Sequence, residues 1–396
     1  MKATGADNLS WVNDFRQGMP VVDDLTYLNH ASVGPPHADT IAAAQAFLAD
    51  QHAHGSLNQL DWFAKLDEAR AQAAQLLRTS EERIAIMPNT STGLMRALGA
   101  IPLQSGDEVV AIADAFPAIY FPVKSFADRG ATLIEVEPAL NIDLTQQVLD
   151  AITPRTRVVA IPWVGFLRGA RLDLAALSEE RRRRNFFLVV DAIQGVGVVP
   201  LALDELMVDF LSFQGAKWLL SPLGAGVLYA SESACELAPD FQGWYGHEID
   251  WNAFLRRDTA LWQGARRYEV ATHSMPSVYG FVASLSRFNA IGIPRIWERI
   301  RSLTDRIFAG LSQLPVLIVT PQPAEQRAGI VTFSCEGAGA PAGSDWASPA
   351  SELFAELSRQ RISVSFREGF IRVSPHFYNT EEEVDVFLAA VKGFLG

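Results

Sequence analysis

The apolar residues of this chain fall in short unbroken runs. RIAIM (83–87), EVVAIA (108–113), TLIEVE (132–137), VVAIPWV (158–164), FFLVVDA (186–192), FLSFQG (210–215) and GAGVLYAS (224–231) read as seven strands. Helix-period segments lie between most of them: TGLMRALGAI, FPVKSFADRG, LTQQVLDAI and LAALSEERRRR. Nearly continuous apolar strands alternating with helices predict an α/β unit, a mostly parallel seven-stranded sheet covered on both faces. Only Ala-Lys-Trp-Leu-Leu-Ser-Pro-Leu separates the sixth and seventh runs. That is too short for a helical crossover, so this pair is expected to be antiparallel.

After about residue 275 the pattern changes. A helical stretch around SVYGFVASLSRFNA leads to the amphipathic RIWERIRSLTDRIFAGL, the strands IVTFSC, ISVSF and FIRVS, and a closing helix EEEVDVFLAAVKGFL. This predicts a large α/β domain over residues 20–280 and a smaller α+β domain over 281–396, with 1–19 packed on the latter. The run AGAPAGSDWASPA (338–350) predicts a flexible loop.

At 396 residues, 49% hydrophobic and 20% charged, the chain suits a globular protein with a sizeable core. The net charge of −12 argues against nucleic acid as a partner. The run Arg181–Arg184 reads as the last turn of a helix, where cations complement the dipole. Two cysteines, Cys235 and Cys335, make neither a disulfide framework nor a metal cluster. The first residues lack the layout of a secretion signal, and no apolar run reaches the ~20 residues of a membrane helix. The expectation is a cytoplasmic protein with no membrane partner and no metal.

Lysine occurs at only five positions, Lys2, Lys65, Lys124, Lys217 and Lys392, the other basic residues being arginine. Lys217 follows the end of an apolar strand, where a low-dielectric wall lowers an amine's pKa and makes it nucleophilic. Asp191 ends the neighbouring, otherwise apolar strand. At MPNTSTGL a strand meets a helix, and Asn89 to Thr92 supply capping hydroxyls and free N–H groups suited to a phosphate. Taken singly, each has a structural reading: a turn cap, a helix cap, a snorkelling amine. Together, at three strand ends of a parallel sheet, they match the needs of pyridoxal phosphate. The lysine forms the imine, the carboxylate holds the pyridine nitrogen protonated, and the helix start takes the phosphate. Neither a Walker loop nor G-x-G-x-x-G is present.

The stretch VVDAIQGVGVVPLALDELMVDFLSFQGAKWLLSPLGAGVLYAS resembles the class-V aminotransferase-like enzymes, as do YLNHASVGPP near the start and FIRVSPHFYNTEEEVDVFL near the end. This family of fold-type-I pyridoxal-phosphate enzymes includes cysteine desulfurases, selenocysteine lyase, isopenicillin-N epimerase and kynureninase. The resemblance implies pyridoxal 5'-phosphate as cofactor, Lys217 as the Schiff-base residue, Asp191 at the pyridinium nitrogen and Gln194 at the phenolic oxygen. It implies Phe116 stacked on the ring and Thr90 and Ser91 at the phosphate, with Thr272 reaching a partner's phosphate in a homodimer. Arg372 is implied as the grip on the substrate α-carboxylate, with Asn29, His30 and Ser32 lining the same pocket.

Three departures follow. Gln214 and Ala216 stand where many relatives have Ser and His before the lysine, so phosphate binding leans on Gln214 or the helix start. Phe166, with Trp163, stands where desulfurases have an asparagine beside the ring, which implies an apolar substrate pocket. SFREGFIRVS lacks the loop cysteine of desulfurases, from which a persulfide-forming desulfurase is not expected. The implied activity is a lyase of C–S or β-elimination type or an aminotransferase. An epimerase or a non-catalytic protein of the same fold are the alternatives. Of the other histidines, His376 reads as structural; His247 sits with Trp251 in the loop GWYGHEIDW, whose contact with the substrate the sequence leaves open.

Overall fold

A computed structural model describes residues 9–335 and 348–396. All seven expected runs form strands, within two residues of their expected ends. In spatial order the sheet runs Ile84–Met87, Gly226–Ala230, Phe210–Gln214, Phe187–Asp191, Thr156–Pro162, Glu108–Ile112 and Thr132–Val136. Gly226–Ala230 is antiparallel to both of its neighbours, and the other pairings are parallel. The short link after Gln214 therefore reverses the chain, as its length requires.

Alternation along the strands divides the apolar core in two. Val110, Val159, Leu188, Val190 and Leu211 pack on one face. Val109, Val158, Val189 and Phe210 pack on the other. Successive side chains of a strand point to opposite faces, so one unbroken apolar run supplies both cores. The edge strand Ile84–Met87 is covered by the turn Gly264–Tyr268 and by Glu269, whose carboxylate accepts from Ile86 N at 2.9 Å and so occupies an otherwise unpaired edge donor.

The helices follow their sequence signals. Asn89 caps Thr90–Ala100 by accepting from Thr92 N at 2.8 Å. Leu174–Arg183 ends in Arg181–Arg183, and the basic run is neutralised locally: Arg181 pairs with Asp209 at 2.8 Å and Arg184 with Glu180 at 2.5 Å. The helix expected at FPVKSFADRG instead occupies Pro117–Lys124. Proline at its first turn needs no N–H partner and sets the start.

The second sheet is antiparallel, in the order Ser365–Arg367, Phe370–Val373, Val331–Ser334 and Leu317–Ile318. Helices Ile293–Leu311, Pro349–Arg359 and Glu381–Leu395 share its apolar core. Trp11 and Phe15 pack on Phe377, with ring centroids 5.1 and 4.6 Å apart. Most of the loop expected at 338–350 lies outside the described residues. Residues Thr26–Tyr27 pair with Ile362–Ser363, and Asn29 bridges to Ser374, so the segment after Tyr27 runs beside the hairpin that carries Arg372. That segment forms one wall of the site.

Candidate active site

Three strand ends, the 29–34 segment and the small-sheet hairpin converge on one cavity of about 340 Å³. Asp191 and Lys217 both line it. Asp191 is in register with Pro162 and Ser212, at the C-terminal edge of the sheet, where ligands of open α/β folds collect. It is 3% exposed, and Oδ1 accepts from Ile193 N at 3.1 Å. Burial pushes its carboxyl up to about 6, against the opposing pull of that N–H and of Lys217.

Lys217 stands in the reversal after Phe210–Gln214. Burial lowers its amine to about 8; Asp191 opposes the shift, while Arg372 and Arg367 add to it. Its Nζ is 5.7 Å from the Phe116 ring centroid. The reversal is held tightly. Leu220 takes a left-handed φ of 53°, and a Cβ at Gly34 would collide with the Lys217 carbonyl oxygen. Only glycine lets the wall segment approach this close.

Gln194 is 1% exposed and uses both ends of its amide, donating to Ala31 O at 2.9 Å and accepting from Trp218 Nε1 at 2.8 Å. Phe116 and Phe166 meet edge to face at 5.2 Å on the open side. Arg372, 2% exposed, donates to Phe166 O at 2.7 Å and to Ser32 Oγ at 2.8 Å. Burial, then Arg367, lowers its pKa to about 10, leaving it charged.

Thr90, Ser91, Gln214 and Ser32 also line the cavity. Thr90 begins the helix Thr90–Ala100, and its Oγ1 is buried without a hydrogen-bond partner. A buried orphan hydroxyl beside free helix N–H groups fits a missing acceptor such as a phosphate. With an amine and a buried carboxyl in the same cavity, the donor set fits pyridoxal phosphate.

Other expected residues lie elsewhere. His30 is fully buried: Nδ1 meets Ser374 O at 2.9 Å and Nε2 meets Tyr378 Oη at 2.6 Å, so it braces the wall from behind. Trp163 turns away from the cavity and packs where a Cβ at Gly195 would collide with its ring. Asn29 also stays outside the lining and accepts from Ser365 Oγ at 3.0 Å. Thr272 is exposed, in the loop before helix Met275–Ile291. His376 is buried on Trp218 O at 2.8 Å, a structural position. His247 lines a separate cavity with Trp244 and Phe254, and Trp251 packs on Phe63.

Arg367 was not among the expected site residues, yet it lines the cavity. The signal for it lies in strand period. Ser365 is opposite Arg372 and Arg367 is two residues on, so all three share one face of the hairpin.

The profile of the Aminotransferase class-V family matches residues 26–387. The chain is 27% identical over 372 residues to YcbU of Bacillus subtilis, described as an uncharacterized aminotransferase, covering 93% of this chain and 94% of YcbU. It is 25% identical to a probable cysteine desulfurase of Pyrococcus abyssi, covering 96% of each. Among solved structures, the cystine C–S lyase C-DES in complex with its reaction product cysteine persulfide superposes with a TM-score of 0.83 at 26% identity, covering 93% of this chain and 98% of that one.

These findings overturn the expectation that a persulfide-forming desulfurase is excluded. That exclusion rested on one absent loop cysteine. The product named for C-DES is a persulfide of free cysteine, so a persulfide need not form on a protein thiol.

Proposed function

The chain belongs to the class-V aminotransferase family and takes pyridoxal 5'-phosphate as cofactor, and on that premise we propose that it is a lyase cleaving the β C–S bond of an α-amino acid. The observation that carries the reading is the convergence of the Lys217 amine, the buried Asp191 carboxyl and the buried Arg372 guanidinium on one cavity. The likeness to C-DES supports the lyase outcome.

In this reading Arg372 holds the substrate α-carboxylate with its planar fork, braced by Phe166 O and Ser32. Lys217 takes the proton from Cα, its amine lying near the working pH of a general base. The bound cofactor supplies an electron sink for the pair left at Cα. Asp191 keeps the sink electron-poor by facing the ring nitrogen, and the Phe116–Phe166 pair excludes water from the open side. Thr90, Ser91 and Gln214 hold the phosphate.

The reading includes a two-fold dimer in which Thr272 reaches the partner's phosphate. In support, Thr272 is exposed, and Leu57, Leu60, Phe254 and Leu255 present apolar side chains to solvent.

The test is turnover of L-cysteine or L-cystine by the yellow holoenzyme. Pyruvate and ammonia, with sulfide from cysteine or cysteine persulfide from cystine, are expected without any keto-acid acceptor. A strict requirement for such an acceptor, with no sulfur released, would sink the lyase reading. Borohydride should fix the cofactor to one peptide containing Lys217, and Lys217→Ala should abolish both that linkage and turnover.

A further inference from the structure

Phe116 covers the open side of the cavity, yet apolar packing alone does not hold it there. The residue is 43% exposed, and its ring centroid lies 5.2 Å from that of Phe166 and 5.7 Å from Lys217 Nζ. Apolar contact is non-directional, so a ring this exposed needs another constraint to keep one orientation. The loop that carries it joins Glu108–Ile112 to the helix Pro117–Lys124, and of residues 113–116 only Asp114 has a polar side chain. Asp114 Oδ2 accepts from Arg168 Nε at 3.0 Å, each side chain being 28% exposed. Burial raises the Asp114 carboxyl above its ordinary range, and Arg168 opposes the rise. Neither residue lines the active-site cavity; Arg168 borders a separate groove with Leu140 and Phe308.

Arg168 belongs to a turn that is itself firmly held. Two successive carbonyls of that turn dock on the small sheet: Phe166 O accepts from Arg372 Nη1 at 2.7 Å and Leu167 O from Thr332 Oγ1 at 2.6 Å. Thr332 and Arg372 stand opposite one another in that sheet. Gly169 closes the turn at a φ of 68°, and a Cβ there would collide with Ile330 O. The next side chain after these two carbonyls, Arg168, reaches Asp114. A charge-assisted N–H···O bond is directional, so it transmits the position of the held turn to the loop that bears Phe116.

We infer that Asp114 and Arg168 are positioning residues whose ion pair holds the Phe116 ring against Phe166 and fixes where its face meets the cofactor. The inference rests on the reading of Phe116 as the aromatic cover of the site. The pair touches neither cofactor nor substrate, and its effect passes through Phe116.

The experiment measures cofactor affinity by equilibrium dialysis, together with the circular dichroism of the bound cofactor's visible band, which responds to ring orientation. The proteins compared are wild type, Arg168→Gln, Phe116→Ala and the double variant. Arg168→Gln should weaken affinity about fivefold and alter the band, and Asp114→Asn should reproduce both changes. Arg168→Lys keeps the charge without the planar fork and should recover part of the loss. In the Phe116→Ala background, Arg168→Gln should have no further effect, because the ring through which the pair acts is gone. A merely structural pair would instead cost the same with and without that ring. Equal losses in the two backgrounds, or no loss in either, would overturn this inference and leave the role of Phe116 standing. An unchanged affinity and band in Phe116→Ala would overturn both.

Discussion

Trp218 Nε1 donates to Gln194 Oε1 at 2.8 Å, with both side chains buried. This bond ties the residue after Lys217 to the residue three beyond Asp191, and so sets how far apart the two groups stand across the cavity. Trp218→Phe keeps most of the ring and deletes the donor. The Gln194 carbonyl is then buried unsatisfied, a cost of about 1–3 kcal/mol. Urea unfolding should show that loss, with weaker cofactor binding by equilibrium dialysis. Unchanged affinity would mean that the bond does not set the spacing.

Arg372→Ala should weaken amino acids far more than simple amines. A charge-assisted fork contributes about 1.5–3 kcal/mol, so kcat/KM for an α-amino acid should fall on the order of ten- to a hundredfold. Equal losses for an amine without a carboxylate would remove the role assigned to it.

Asp191 carries a stability cost in the cofactor-free protein. Its folded carboxyl is raised to about 6, so the fold favours the neutral form. That preference is complete below the unfolded value near 4 and is lost as pH rises through about 6. Asp191→Asn is neutral at every pH and should therefore gain stability over the wild type at about pH 8, by at most about 3 kcal/mol, and gain less at about pH 5. Turnover should fall at the same time. A gain that did not grow with pH would contradict the burial argument.

Glu269 shows the opposite sign. Burial alone would raise its carboxyl, but Arg70 at 2.7 Å and His273 at 3.0 Å outweigh it and hold the group at about 2. Its contribution is present above the unfolded value near 4.5 and lost as pH falls toward 2. Glu269→Ala takes from Arg70 its buried partner, leaving it only the exposed carboxylate of Asp67, and frees the edge donor of Ile86, and should cost about 3 kcal/mol near neutrality. Denaturant melts of the two proteins should converge as the medium is acidified. A constant gap would show that the ion pair is not the source.

Several residues that line the cavity were legible because strand ends can be read in one dimension. An apolar run that stops at Asp191, another that stops before Lys217, and a capped helix start at Thr90 are all local patterns, and a parallel sheet gathers such ends on one edge. His30 and Trp163 misled for the same local reason. His30 adjoins the lining residue Ala31 and Trp163 lies three positions before Phe166, but His30 is drawn back onto Ser374 and Tyr378, and Trp163 packs against Gly195.

Local pattern alone settles the seven strands, their two apolar faces, the reversal after Gln214 and the pairing of an amine with a carboxyl at neighbouring strand ends, because each follows from side-chain period and connection length. Packing between distant segments decides the rest. Arg367 and Arg372 reach the cavity because the hairpin is laid beside residues 26–34, more than three hundred positions away, and a contact of that range depends on how three cores fit together.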